Sequence, residues 1–282
     1  MILARTRAEL AEVLEAPRGG DARIGLVPTM GYLHEGHLSL VDLARQNADF
    51  VAASIFVNPL QFGAGEDLDR YPRDVDRDLA LLEARGTDVV FHPSVEEMYP
   101  GGDPLVTVDP GPMGDLLCGA YRPGHFRGVL TVVARLFGIL RPRVAVFGQK
   151  DYQQGVLIKR MVRDLEMDVD VLQGPVVREP DGLAMSSRNV FLSRSLRSDA
   201  LGLHQGLLAV QEAFSGGQTS HAALQTRLRT TVSRRPGLQL QYGEIVDPLS
   251  LRPVDPVPAG AVVAVAALCG PTRLIDNQIL VE

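Results

Sequence analysis

Short apolar runs alternate with amphipathic stretches along the first two thirds of the chain. Ala8, Leu10, Ala11, Val13 and Leu14 predict a short helix over Thr6 to Leu14, with Thr6 as its cap and Pro17, Gly19 and Gly20 as its end. Ile24 to Val27 predicts a buried strand closed by Pro28, and the spacing from Leu38 to about Gln46 predicts a helix. Phe50 to Val57 predicts the next strand, and a strand–helix–strand unit of this length implies parallel pairing. Asp74 to Arg85 predicts an amphipathic helix with Asp in its first turn and Gly86 at its end, followed by a strand over Asp88 to Phe91.

Pro100 to Pro112 is rich in Gly and Pro and predicts an irregular segment around a short strand, Val106 to Val108. Val129 to Leu140 predicts a strongly apolar helix, Val144 to Phe147 a strand and Tyr152 to Leu165 a helix. Val169 to Leu172 and Val176 to Val177 predict two short strands. The pattern then changes. Ser198 caps a helix expected from near Asp199 through Phe214, and a second covers His221 to Val232. Strands are expected over Leu238 to Val246, Ala261 to Leu268 and Leu274 to Val281. The expected fold class is therefore α/β: a parallel-sheet domain over residues 1–178, then a smaller α+β domain over residues 179–282.

Composition narrows the function classes. The chain has 282 residues, 45% hydrophobic and 22% charged, enough for cores of ordinary size. A net charge of -6 argues against a broad nucleic-acid footprint. The two cysteines, Cys118 and Cys269, form neither a disulfide framework nor a zinc spacing, and are expected to be reduced and buried in a cytoplasmic protein. Ala259 to Leu268 is apolar but shorter than the roughly 18 residues of a membrane span, so no membrane segment is expected.

Candidate chemistry begins where the first predicted strand meets the next helix. His34-Glu35-Gly36-His37 sits in that turn, and unpaired amides at a helix N-terminus attract anions. A metalloprotease motif needs its histidines four apart on a helix, and these are three apart with Gly36 between them. The plainer alternative is a turn with two satisfied histidines. Gly148-Gln149-Lys150-Asp151 forms a second strand–loop–helix junction, whose lysine can meet a polyphosphate and whose acid can meet Mg2+ or a nucleotide hydroxyl. No Walker pattern occurs. Met185-Ser186-Ser187-Arg188 supplies two hydroxyls and a guanidinium; alone it reads as a solvated turn, and with the lysine and the histidines it completes a triphosphate clamp.

PTMGYLHEGH at 28–37, SIFVNPLQF at 54–62, FGQKDYQQ at 147–154 and MSSRN at 185–189 together resemble the pantoate–β-alanine ligase (pantothenate synthetase) family over essentially the whole chain. The His-x-Gly-His element alone marks only the wider nucleotidylyltransferase superfamily. The resemblance implies a Rossmann-like first domain, a smaller C-terminal lid and a homodimer. It implies condensation of (R)-pantoate with β-alanine, with ATP cleaved to AMP and pyrophosphate through a pantoyl-adenylate, and Mg2+ accompanying ATP. It assigns His34, His37, Lys150, Ser186, Ser187 and Arg188 to the ATP phosphates. Met30, Gly31, Tyr32, Leu33, Glu35, Gly36, Gly148, Gln149, Asp151, Val177 and Met185 are assigned to the nucleotide's surroundings. Gln61 and Gln154 are assigned to pantoate, with Asn58 close to the same pocket. Two other readings stay open on sequence: a nucleotidylyltransferase that leaves AMP on its product, and a non-catalytic nucleotide sensor. A tRNA-dependent synthetase fits poorly, since the chain is acidic and lacks a basic arm.

Overall fold

The structure is a computed structural model describing residues 1–282. Its elements begin with β1 (Ile2–Ala4), α1 (Arg7–Gly19), β2 (Ile24–Thr29), α2 (Glu35–Asn47), β3 (Phe50–Ile55) and α3 (Val75–Ala84). They continue with β4 (Val89–Phe91), α4 (Val95–Met98), α5 (Cys118–Tyr121), α6 (His125–Leu140), β5 (Val144–Gly148), α7 (Tyr152–Asp164) and β6 (Asp170–Gly174). The last are α8 (Arg194–Ser215), α9 (His221–Val232), β7 (Leu238–Val246), β8 (Val262–Cys269) and β9 (Thr272–Ile279). The chain divides into two compact units. One comprises Met1–Gly114, Arg122–Gly148 and Leu157–Pro175; the other comprises Asp115–Tyr121, Gln149–Val156 and Val176–Glu282.

The first unit is built on a six-stranded sheet in the order β1-β4-β3-β2-β5-β6. Every pairing is parallel, with Ile24 opposite Phe50 in β2–β3 and Val144 opposite Asp170 in β5–β6. Such strands are covered on both faces, which is why Val144 to Phe147 of β5 reads as an unbroken apolar run and β3 as one interrupted only by the buried Ser54. Val27, Val41, Ala44, Val51, Ala53, Leu82, Val90 and Val146 form one of the cores. The order reverses between β2 and β5, and ligands bind open parallel sheets at such a switch point. β2 leads into the Met30–His37 loop, and β5 ends on Gly148. The unit is thus a Rossmann-like α/β sheet. The second unit holds an antiparallel sheet in the order β7-β8-β9, whose inner face meets α8 and α9 through Leu203, Leu207, Val210, Leu224, Leu228, Ile245, Val263 and Val265.

Most expected elements are present, and the departures have physical causes. Strand β2 continues through Pro28 to Thr29. Beyond Leu26 it has no further pairing with β5, so the proline removes no ladder bond on that side. Helix α1 continues through Pro17 to Gly19, and Arg18 Nη2 ties this extra turn to the Ile139 and Leu140 carbonyls at 2.9 Å each. Helix α8 is capped by Ser193, not Ser198, and starts five residues before Asp199. Arg197 in that first turn pairs with Glu179 and Asp181, a charged face that masks the helical period. Val106–Val108 is not a strand: Leu105 and Val106 are exposed, and Val108 N–H donates to Thr131 Oγ1 rather than to a neighbouring strand. Val176–Val177 is not a strand either; only Arg178 and Ala184 form a bridge there. Conversely, β1 is a three-residue strand with no sequence signal of its own, created by pairing with β4. Both cysteines are free thiols and buried.

One close approach sets the geometry at the end of β3. Gly128 on α6 faces the 3-10 turn Pro59–Gln61, and a Cβ there would run into the Leu60 carbonyl and lie 2.6 Å from Gln61 N. Those are backbone atoms and cannot swing aside. Gly128→Ala is expected to lose about 1–3 kcal/mol of stability in denaturant unfolding, as overpacking does. Gly138→Ala on the same helix, with nothing within 4 Å of its Cβ, is expected to lose none.

Candidate active site

The loop after β2 is made of residues that cannot satisfy their own backbone. Gly31 and Tyr32 have φ of +82° and +50°, in the left-handed region. The Tyr32 and Leu33 amides both donate to Asp78 of α3, at 2.6 and 2.7 Å. Asp78 is 1% exposed, and burial pushes its carboxyl up while the two amides pull it down. The loop thereby delivers His34 as the N-cap of α2 in extended conformation. His34 N–H donates to His37 Nδ1 at 3.3 Å, and the two rings lie 4.0 Å apart. A ring that accepts at Nδ1 carries its proton on Nε2, the tautomer that donates. The Leu33 side chain is buried, and the Glu35 carboxylate pairs with Arg85, so neither side chain is directed to a ligand. Gly36 offers only backbone, its carbonyl accepting from Ser39 Oγ at 3.0 Å.

Asn58 is a hub in the same unit. Its side chain is 1% exposed, and Nδ2 donates to Gln61 Oε1 and to the Gly128 carbonyl, each at 3.1 Å. Its Oδ1 accepts from Tyr99 OH at 2.8 Å, and burial pushes the Tyr99 phenol up, so it remains a neutral donor. Gln61 Nε2 reaches Met30 Sδ at 3.2 Å, linking the amide to the histidine loop. The Gln61 carbonyl is held by Arg122 Nη2 at 3.2 Å and His125 Nδ1 at 2.8 Å. Asn58 therefore orients Gln61 and is enclosed itself.

In the second unit, Gln149–Asp151 is a 3-10 turn leading into α7. Lys150 Nζ lies 4.0 Å from Asp151 Oδ2, and the Gln149 side chain donates to Asn277 Oδ1 at 3.2 Å. The adjacent glutamines differ. Gln153 is 5% exposed and holds Cys118 N and the Leu116 carbonyl, whereas Gln154 is only half-buried. Met185 N–H donates to the Val177 carbonyl at 3.0 Å. Ser186 caps the 3-10 turn Ser187–Phe191 by accepting from Arg188 N–H at 3.2 Å; Ser187 is buried and Arg188 half-buried. No group of three or more His, Cys, Asp or Glu side chains is arranged to hold a metal ion. No helix is long and apolar enough to cross a membrane.

The family model for pantoate–β-alanine ligase matches residues 2–279. The chain belongs to the pantoate–β-alanine ligase family. It is a ligase, with relatives named pantothenate synthetase. One from Nocardioides is 54% identical, covering 98% of this chain and 84% of that one. Another from Thermotoga neapolitana is 51% identical, covering 99% and 100%. The crystal structure of the Thermus thermophilus pantothenate synthetase superposes with a TM-score of 0.94 at 49% identity, covering both chains fully. The pantoate–β-alanine ligase of Francisella tularensis superposes at 0.80 with 33% identity, covering 99% of this chain and 97% of that one. That structure is a complex with β,γ ATP and β-alanine.

Several residues that hold these segments in place lie outside the motifs. Asp78 was legible only as an acid in a helix's first turn. Its better signal is that it occupies the apolar stripe of Val75, Leu79 and Leu82, where a buried acid must have a partner. Asp276 and Asn277 follow Leu274 and Ile275 in β9 as the first two of three consecutive polar residues, and both are buried. Tyr99 and Arg122 carry no comparable signal. Asp78→Asn leaves one acceptor for two amides. It is expected to lose about 1.5–3 kcal/mol in denaturant unfolding. Asp42→Asn, on an exposed ion pair, is expected to lose under about 1 kcal/mol.

Proposed function

We propose that this chain condenses (R)-pantoate with β-alanine, cleaving ATP to AMP and pyrophosphate through a pantoyl-adenylate. A pantoate carboxylate oxygen attacks the α-phosphorus and pyrophosphate leaves. The β-alanine amine then attacks the acyl carbon, the acyl–oxygen bond breaks, AMP leaves and the amine gives up a proton. The observation that carries this reading is the network Asn58–Gln61–Met30, which ties a hydroxyl-reading amide to the loop bearing His34 and His37. The Francisella complex supports the choice of ATP and β-alanine as ligands.

The substrate supplies its own nucleophile, so catalysis reduces to positioning and charge stabilisation. His34 and His37, at the N-terminus of α2, and Lys150 meet the phosphates, with His37 and Lys150 neutralising charge that grows around the α-phosphate. Ser186, Ser187 and Arg188 hold the departing pyrophosphate. The backbone of Met30–Gly36, together with Gly148, Gln149, Asp151, Val177 and Met185, surrounds the nucleotide. Gln61 and Gln154 grip the pantoate hydroxyls, and uncharged amides leave the carboxylate reactive where a cation would weaken it. Mg2+ would accompany ATP and neutralise charge on its phosphates. In this reading residues 1–178 bind nucleotide and pantoate, residues 179–282 shield the adenylate from water, and the enzyme is a cytoplasmic homodimer.

Pantoate-dependent ATP–pyrophosphate exchange tests the first step. Exchange is expected with pantoate and absent with D-lactate, which keeps the 2-hydroxyl but lacks the terminal one, since a site that grips both hydroxyls rejects an acid missing one of them. AMP should appear stoichiometrically only when β-alanine is added; AMP retained on an isolated product would favour simple nucleotidyl transfer. His37→Ala is expected to lower turnover by at least about a hundredfold, the scale of losing one preorganised donor. Near-normal turnover in that variant removes His37 from the mechanism.

A further inference from the structure

Strand β9 carries two adjacent buried polar residues, Asp276 at 4% and Asn277 at 2% exposure. Neither belongs to a motif that the ligase reading uses, and their side chains are fully engaged. Asn277 Nδ2 donates to the Gln149 and Lys150 carbonyls, each at 2.9 Å, and Oδ1 accepts from Gln149 Nε2 at 3.2 Å. Asp276 takes Arg178 in a bidentate pair at 2.6 and 3.0 Å, and its Oδ1 accepts from Asn277 N–H at 2.8 Å. Arg178 in turn donates to the Gly182 carbonyl at 3.2 Å and bridges Ala184, the residue before Met185-Ser186.

The chemistry at Asn277 is demanding. The Gln149–Asp151 turn has three residues and closes few bonds of its own. Two of its carbonyls need donors. A side chain meeting both while accepting from Gln149 needs two N–H groups and one acceptor at fixed reach. Aspartate has no donor when ionised, serine and threonine have one, and glutamine is one methylene too long. We propose that Asn277 is a positioning residue: it fixes Lys150 in register with the segment that carries Ser186, Ser187 and Arg188, through the Asp276–Arg178 pair beside it. The inference rests on the role given to Lys150 above, and it explains what holds the backbone of the short turn that bears that lysine. Lys150 acts on charge that grows in the transition state, so misplacing it lowers kcat more than ATP binding.

A kinetic double-mutant cycle on the full chain tests this, read by pantoate-dependent ATP–pyrophosphate exchange with unfolding midpoints recorded for each variant. Asn277→Ala is expected to lower kcat at least about 30-fold while the KM for ATP stays within about threefold. In a Lys150→Ala background the same substitution is expected to cost less than about threefold further, because the group it positions is gone. Equal fold losses in both backgrounds, or a loss carried by KM, overturn the positioning role. Should Asn277→Ala fail to fold, Asn277→Ser retains one donor and is read by the same non-additivity. A Lys150→Ala enzyme exchanging at the parental rate would instead sink the role of Lys150 itself.

Discussion

Asp78 is a carboxylate enclosed by the first unit, and what meets its two oxygens is chiefly backbone: the amides of Tyr32 and Leu33. Removing that carboxylate would leave two buried amides without acceptors in a loop that already holds two left-handed residues. The direction in which the chain enters α2 follows from this anchor. So does the extended backbone of His34, which lets His37 Nδ1 reach the His34 amide and puts the ring proton on Nε2. Geometry that serves as the phosphate-facing end of a helix is therefore set from α3, a helix that contributes no phosphate ligand in the proposed reading.

The same device recurs. Asn58 holds Gln61 from the end of β3, and Asn277 holds the Lys150 turn from β9. In each case a side chain with a role in the proposed reading sits on an irregular segment that a buried asparagine holds: Asn277 bonds two carbonyls of its turn, and Asn58 bonds the Gln61 side chain and accepts from Leu60 N–H. Irregular backbone leaves carbonyls and amides unpaired, and enclosing them without partners costs about 1–3 kcal/mol apiece. A carboxylate suits amides and a carboxamide suits carbonyls, which is why Asp anchors the loop and Asn anchors the turn.

This division explains what the sequence disclosed and what it hid. The extents of α9 and β7 were legible to the residue: Leu224, Leu228 and Val232 recur every fourth position along α9, and β7 ends in the buried run that includes Ile245 and Val246. The start of α8 was not, since its first turn is held by Arg197 and its acidic partners rather than by apolar contacts. Pro28 and Pro17 look like breakers in isolation, but tertiary context removes the bond each would have broken or replaces it. The residues proposed for the site are read from the family motifs. The anchors were not, because an acid on α3 and an asparagine on β9 lie far along the chain from the segments they hold.

A reaction whose substrate brings its own nucleophile places unusual weight on such anchors. In the proposed reaction there is no covalent catalysis to fall back on, and the rate would depend on where a few donors stand when charge shifts from the carboxylate to the departing pyrophosphate. A misplacement of about 1 Å is worth roughly a hundredfold in rate. A donor on a well-anchored turn and the side chain that anchors it then become comparable in kinetic weight, even though only one of them meets the ligand. Hydrophobic burial decides that the sheet and its helices form. Polar side chains buried against irregular backbone decide whether the loops between them are accurate enough to do chemistry.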